Sequence, residues 1–116
     1  MQEYLSIIII SIIALLFVYR RFFNNTNYQE LIDNGAVIID VRSEGEFLTG
    51  NIEGSINIPL DKIASTLNKI NDKNQTLITC CASGIRSGIA KRILKSKGYH
   101  NIYNGGGWQT LNNKLW

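Results

Sequence analysis

Residues 76–98 read TLITCCASGIRSGIAKRILKSKG. The apolar TLITC reads as a strand, SGIAKRILKSKG reads as a helix closed by Gly98, and a short turn of small residues joins them. The same alternation runs upstream. NYQELIDNG puts Tyr28, Leu31 and Ile32 on one helical face and stops at Gly35, after which AVIID reads as a strand buried on both faces. SEGEFLTG is a brief helical turn, and IEGSINIP offers Ile52, Ile56 and Ile58 before Pro59 forbids further ladder pairing. DKIASTLNKI predicts another helix, with Asp61 at its N-cap and Ile63, Leu67 and Ile70 at helical spacing; NIY predicts a last strand. Strands separated by helices imply an α/β fold, a parallel sheet flanked by helices. Ligands bind such sheets beyond the carboxyl ends of the strands, and CASGIR falls at one of those ends.

A cysteine at that position sits where backbone N–H groups and the positive end of a helix converge. The arrangement stabilises an anion, lowers a thiol's pKa and readies the thiolate as a nucleophile. Arg86 adds a fixed positive charge, Gly84 permits backbone angles that other residues resist, and Ser83 and Ser87 can donate to sulfur or cap the helix.

Composition bounds the rest. The 116 residues, 45% hydrophobic and 18% charged, suffice for one small core. The net charge of +3 is scattered without a basic stripe, which gives nucleic-acid binding little support. Cys80 and Cys81 are the only cysteines, and neighbouring Cα atoms, about 3.8 Å apart, fall short of the roughly 4.4–6.8 Å of a relaxed disulfide. The pair therefore points to a reducing compartment.

The opening segment stands apart. Residues 4–19, YLSIIIISIIALLFVY, read as a membrane helix ended by Arg20 and Arg21. At about 1.5 Å per residue it reaches roughly 24 Å, and the flanking tyrosines and snorkelling arginines extend that toward a core of about 30 Å. A cleavable signal peptide wants positive charge before the apolar run and small residues after it, where this chain has Glu3 and then RRFFNN. The arginine pair predicts a single-pass anchor in the cytoplasmic membrane with the remainder inside the cell. The expected division is an anchor over 1–23 and one globular domain over 24–116, with polar NNTN at the junction.

Three separated motifs then carry a resemblance. IIDVRSEGEFLTGNIEGSINIPL at 38–60 resembles the D-V-R, E-F, G-H-I, G-A, N-I-P signature of the rhodanese family of sulfurtransferases. CASGIRSGIA at 81–90 resembles the family's C-R-S-G-N-R-S active-site loop, and NGGGW follows at 104–108. The resemblance implies a rhodanese-like domain in which Cys81 accepts a sulfane sulfur from thiosulfate or a persulfide donor and passes it to a thiol or cyanide. It implies that Ala82, Ser83, Gly84 and Ile85 supply the loop, that backbone N–H groups from Ala82 to Arg86 hold the persulfide anion, and that Arg86 holds the donor. No cofactor is implied, and one His with two adjacent Cys cannot build a metal set.

Two rival readings remain. Counting from Cys80 leaves five residues before Arg86, the spacing of cysteine phosphatases that share the rhodanese fold. Those enzymes place a histidine before the nucleophile, where this chain has Thr79, and Cys80 should face the helix-covered side of its strand. The other rival is a non-catalytic, membrane-tethered interaction module, against which the intact Cys81 and Arg86 argue. Two positions depart from the family pattern. Ala82 replaces a common basic residue and so disfavours a dianionic donor, and Asn51 replaces the usual histidine. Asp40 and Arg42 read as a structural pair, Glu46 as their partner or a solvated residue, His100 as a surface residue, and NGGGW as a flexible turn with Trp108 packed as a cover.

Overall fold

The computed structural model describes residues 2–22 and 26–116. Helix α1 (Gln2–Phe22) carries the apolar run, and its described side chains are exposed. Gln2–Arg20, 19 residues of mean hydropathy 2.0, is long and apolar enough to cross a membrane. Its two serine hydroxyls are satisfied internally, Ser6 donating to the Gln2 carbonyl and Ser11 to that of Ile7, which makes both tolerable in an apolar helix. The expected boundary at 23/24 and the Asn24–Asn25 part of the linker lie outside the described residues, as does the side chain of Arg21.

The rest is a four-stranded parallel sheet in the order β2-β1-β3-β4. Its strands are β1 (Val37–Asp40), β2 (Ile56–Asn57), β3 (Leu77–Cys81) and β4 (Ile102–Gly107). The helices are α2 (Tyr28–Asp33), α3 (Glu44–Thr49), α4 (Ile85–Ser96) and α5 (Trp108–Asn113). Alternation along the strands splits the core in two. Ile39, Leu77 and Cys81 point to the face packed with Ala90 and Leu94 of α4, whereas Ile38, Ile78 and Cys80 point to Tyr28 of α2 and Leu111 of α5. The expected flanked parallel sheet is present.

Two segments differ from expectation. Residues 61–70 form no α-helix: two 3₁₀ turns, Leu60–Lys62 and Leu67–Lys69, replace it, and Asp61 lies within the first instead of capping a helix. Ile63 and Ile70 are buried as expected, and the side chain of Leu67 lies outside those described. The Lys62 carbonyl accepts from the backbone N–H groups of both Ser65 and Thr66 and from their hydroxyls, so the chain turns there without continuing a helical ladder. The second difference is NGGGW. Its glycines extend β4, opposite a register break between Thr79 and Cys81, and Trp108 opens α5.

At the end of β1 lies a buried ion pair. Arg42 Nη2 reaches Asp40 Oδ2 at 2.7 Å and Nε reaches both carboxylate oxygens; the remaining donors go to the carbonyls of Glu46 (3.2 Å) and Gly50 (2.7 Å). The guanidinium stacks 4.6 Å from the Trp108 ring centroid. The structural role expected for this pair is what the geometry displays, since the guanidinium ties α3 and its exit at Gly50 to the carboxylate at the end of β1. Arg42→Ala leaves the Asp40 carboxylate buried and unpaired, so it should cost about 3–5 kcal/mol in denaturant unfolding of the full chain. A loss within experimental error would deny the pair that role.

Candidate active site

Strand β3 delivers Cys81 to the start of α4 through Ala82, Ser83 and Gly84. Gly84 occupies the N-cap with φ 102°, a left-handed angle that glycine adopts without strain, and no side chain caps the helix. The sulfur lies beside this helix start, and the N–H of the N-cap Gly84 donates to Cys81 Sγ at 2.9 Å. Ser87 Oγ lies 3.5 Å from the same sulfur. Burial would push the Cys81 thiol up, but the Ser87 hydroxyl and the backbone N–H groups of Ser87, Gly84 and Ser83 together hold it below the ordinary thiol value.

The back wall is β4. A Cβ on Gly107 would meet the Ala82 carbonyl oxygen at 2.9 Å, so this strand end touches the loop backbone because it has no side chain there. Gly105 is similarly hemmed in by Leu111, Ile78 and the Thr79 carbonyl. Gly105 and Gly107 are therefore close-packed supports in a strand instead of the expected flexible turn, while Gly106 between them has open space and a left-handed φ of 79°. Trp108 is half-buried against the second core, consistent with a cover.

Arg86 lies beside the loop, but its guanidinium is engaged. Nη1 and Nη2 bind the two Glu46 carboxylate oxygens at 2.7 and 2.9 Å. Arg86 and the Ser43 N–H hold the Glu46 carboxyl down at about 2. Glu46 is thus the partner of Arg86, and only its backbone carbonyl serves Arg42. Sequence reasoning missed this because the two residues are 40 positions apart. It also missed Asn104, whose side chain meets both Ser87 and the loop carbonyl of Gly84.

Ala82, Ser83 and Ile85 stand exposed at the crest of the loop, and Ser87 is buried below it. Cys81 itself has no accessible surface, so a donor meets the sulfur only when the loop or its neighbours give way. Alongside runs a groove of about 490 Å³ lined by Val41, Pro59, Leu60 and Arg86 with Ser43, Glu44, Asp61 and Lys62. His100 is exposed, and no group of three metal-ligating side chains occurs among the described residues. Cys80, in register with Asp40, faces the opposite core, where burial and then the Asp40 charge push its thiol up to about 12. That placement removes it from the Arg86 side of the sheet.

The rhodanese-like domain family model matches residues 24–114. The chain belongs to that family. Thiosulfate sulfurtransferase PspE of Escherichia coli is 39% identical over 74 residues, covering 63% of this chain and 71% of that protein. A solved rhodanese with anions from E. coli is 36% identical, with a TM-score of 0.62 over 65% of this chain and 89% of its own. The human single-domain sulfurtransferase TSTD1 is 26% identical, with a TM-score of 0.62 over 72% and 88% of the two chains.

The two thiols should titrate apart. A lowered pKa means thiolate is present at lower pH, so alkylation of Cys81 should rise with a midpoint below the ordinary thiol value. Cys80 should stay unmodified across neutral pH until the protein is unfolded. Peptide mapping after iodoacetamide at a series of pH values measures both; preferential labelling of Cys80 in the folded chain would reverse the assignment.

Proposed function

We propose that this rhodanese-like chain is a membrane-tethered sulfurtransferase that carries sulfane sulfur on Cys81. The Cys81 thiolate attacks the outer sulfur of the donor, a new S–S bond forms, and the donor's own S–S bond breaks with its electron pair leaving on sulfite or a thiolate. An acceptor thiolate or cyanide then attacks the outer sulfur of the Cys81 persulfide and releases the Cys81 thiolate, so no external oxidant or reductant is required. The observation that carries this reading is the short Gly84 N–H to Cys81 Sγ bond at a strand-to-helix junction, with Ser87 alongside. In the loaded state, loop N–H groups are suited to the anionic outer sulfur. Relatives named as sulfurtransferases support the chemistry.

Helix α1 supports the tether, and the arginines at 20 and 21 support an orientation with the domain in the cytoplasm. The donor reading follows from charge. With Ala82 uncharged and Arg86 already paired to Glu46, the loop offers backbone dipoles and little net cation, which favours a persulfide or polysulfide over dianionic thiosulfate.

Incubating the full chain with thiosulfate or an organic persulfide should add the mass of one sulfur, removable by cyanide. Cys81→Ser should abolish the adduct. Cys80→Ser should retain it while losing about 1–3 kcal/mol of stability by burying a hydroxyl. No adduct from either donor, or its loss only in folded Cys80→Ser, sinks the proposal. Fractionation of cells that express the full chain tests the tether: the chain should sediment with membranes and its carboxyl end should resist external protease in intact cells, whereas a secreted form contradicts it.

Donor preference has its own test. Ala82→Arg restores about 1 kcal/mol of exposed attraction for an anion and should lower the apparent KM for thiosulfate roughly fivefold at low salt, with little change for a less charged persulfide. Equal effects on both donors would remove charge at position 82 as the determinant.

A further inference from the structure

Three acceptors surround one proton. Ser87 Oγ lies 2.6 Å from Asn104 Oδ1, 3.0 Å from the Gly84 carbonyl and 3.5 Å from Cys81 Sγ, and a hydroxyl has a single hydrogen to donate. The orientation of the Asn104 amide follows from its other neighbours. Its oxygen accepts the Gly106 N–H at 3.0 Å and its nitrogen donates to the Gly84 carbonyl at 3.3 Å, so the flipped amide would set donor against donor. Ser87 is fully buried, and the Thr79 hydroxyl fixes its backbone by donating to the Ser87 carbonyl at 3.0 Å. These neighbours leave Ser87 one main freedom, rotation of its own O–H.

While Cys81 is a thiol, the shortest contact takes the Ser87 proton to Asn104, and the Cys81 S–H donates to the Ser87 oxygen. Ionisation makes that arrangement unfavourable, because a hydroxyl lone pair then faces a thiolate. Rotating the O–H from Asn104 to sulfur relieves it, and Asn104 still keeps the Gly106 N–H. We propose that Asn104 is a positioning residue for sulfur transfer, competing with the Cys81 sulfur for the Ser87 proton and thereby setting how readily the thiol ionises. The thiol's own proton passes to solvent and that of Ser87 is only re-aimed. Once sulfur is loaded and the charge moves to the outer atom, the Ser87 proton returns to Asn104. The inference rests on reading Cys81 as the nucleophile, yet its readout is ionisation, which is measurable whether or not sulfur is transferred.

Among the charged and titratable groups of the surrounding elements, those tied to the site or its supports are Arg86 on α4, Glu46 on α3, the Asp40–Arg42 pair at the end of β1, Cys80 on β3 and Tyr28 on α2, whose hydroxyl donates to the Asn104 carbonyl; Tyr103 on β4 and Lys91 and Arg92 on α4 lie on the same elements. All stay in place in the variants below. The thiolate ultraviolet absorbance of the full chain in detergent, taken as the difference from Cys81→Ser, gives the Cys81 midpoint. Asn104→Ala should lower it by about half a unit to one unit, roughly three- to tenfold more thiolate below the midpoint, because the nearest competitor is gone and, of the two acceptors left, the Gly84 carbonyl and the sulfur, only the sulfur gains a full charge on ionisation. Ser87→Ala should raise it, and in that background Asn104→Ala should have no further effect. A raised midpoint in Asn104→Ala, or an equal shift with and without Ser87, overturns the proposal, since a merely structural Asn104 would act independently of the hydroxyl. Should near-ultraviolet dichroism show Asn104→Ala unfolded, Asn104→Asp supplies a stronger acceptor of the same shape. It should raise the midpoint by an amount that shrinks in the Ser87→Ala background; an undiminished shift would likewise overturn the proposal.

Discussion

The guanidinium of Arg42 is the tie on which the ligand-facing edge of the sheet depends. It is 3% exposed beside a fully buried Asp40, so the cost of desolvating two charges is met only because nearly every donor has a partner. Those partners are informative. Asp40 ends β1, the Glu46 and Gly50 carbonyls belong to α3 and its exit, and Trp108 opens α5. Gly50 helps by lacking a side chain, since a Cβ there would meet the Trp108 ring at 3.0 Å. Asn57 adds a second clasp, donating to the carbonyls of Asp40 and Arg42. Once α3 is fixed, its capping box, Ser43 with Glu46, sets the Glu46 side chain, and Glu46 grips Arg86 at the first turn of α4. A continuous set of polar contacts thus runs from a buried pair to the helix that carries the cysteine loop.

That continuity bears on how an anion is handled. An unpaired Arg86 would act as a general attractor for any dianion, whereas a guanidinium already held bidentately must be shared or released before it serves a ligand. Glu46, with its carboxyl near 2, stays ionised throughout the physiological range, so the competition is permanent and not switched by pH. What remains for a developing sulfur anion is the Ser87 hydroxyl, which has only its own O–H to turn, and the backbone N–H of Gly84 and its neighbours, whose dipoles are fixed by the fold. A dianion then gains little over a less charged donor, because the loop has so little net cation to offer it.

Alternation of strands and helices, the glycines at 35 and 98, and the opposite facing of Cys80 and Cys81 were all legible, because they depend on local backbone preference and on the two-residue period of a strand. The segment from 61 to 70 was not. Ile63 and Ile70 return to the core one heptad apart in either an α-helix or two 3₁₀ turns, so the apolar spacing did not distinguish them. Glycine at 105–107 misled for a related reason. The residue that marks a turn by its freedom also marks close approach by its lack of a side chain, and here both are in use, the left-handed φ at Gly106 and the close approach at Gly105 and Gly107. The Glu46–Arg86 and Ser87–Asn104 contacts are long-range side-chain facts that no local period encodes.

The two cysteines bring these points to one place. They share a strand, a compartment and a covalent neighbour, yet one thiol is pushed up to about 12 and the other is held below its ordinary value. Their different faces account for the contrast. Cys80 turns toward Ile38, Ile78 and Leu111, surroundings that offer an anion nothing, and the Asp40 charge adds a further penalty. Cys81 turns toward the start of α4, where N–H groups without helical partners are available to it. A one-residue slip in the register of β3 would exchange the two environments, placing the anion cradle around the wrong sulfur. The pairing of Cys80 with Asp40 and of Cys81 with Gly107 therefore does more than build a sheet, because it decides which of two identical side chains is ionisable.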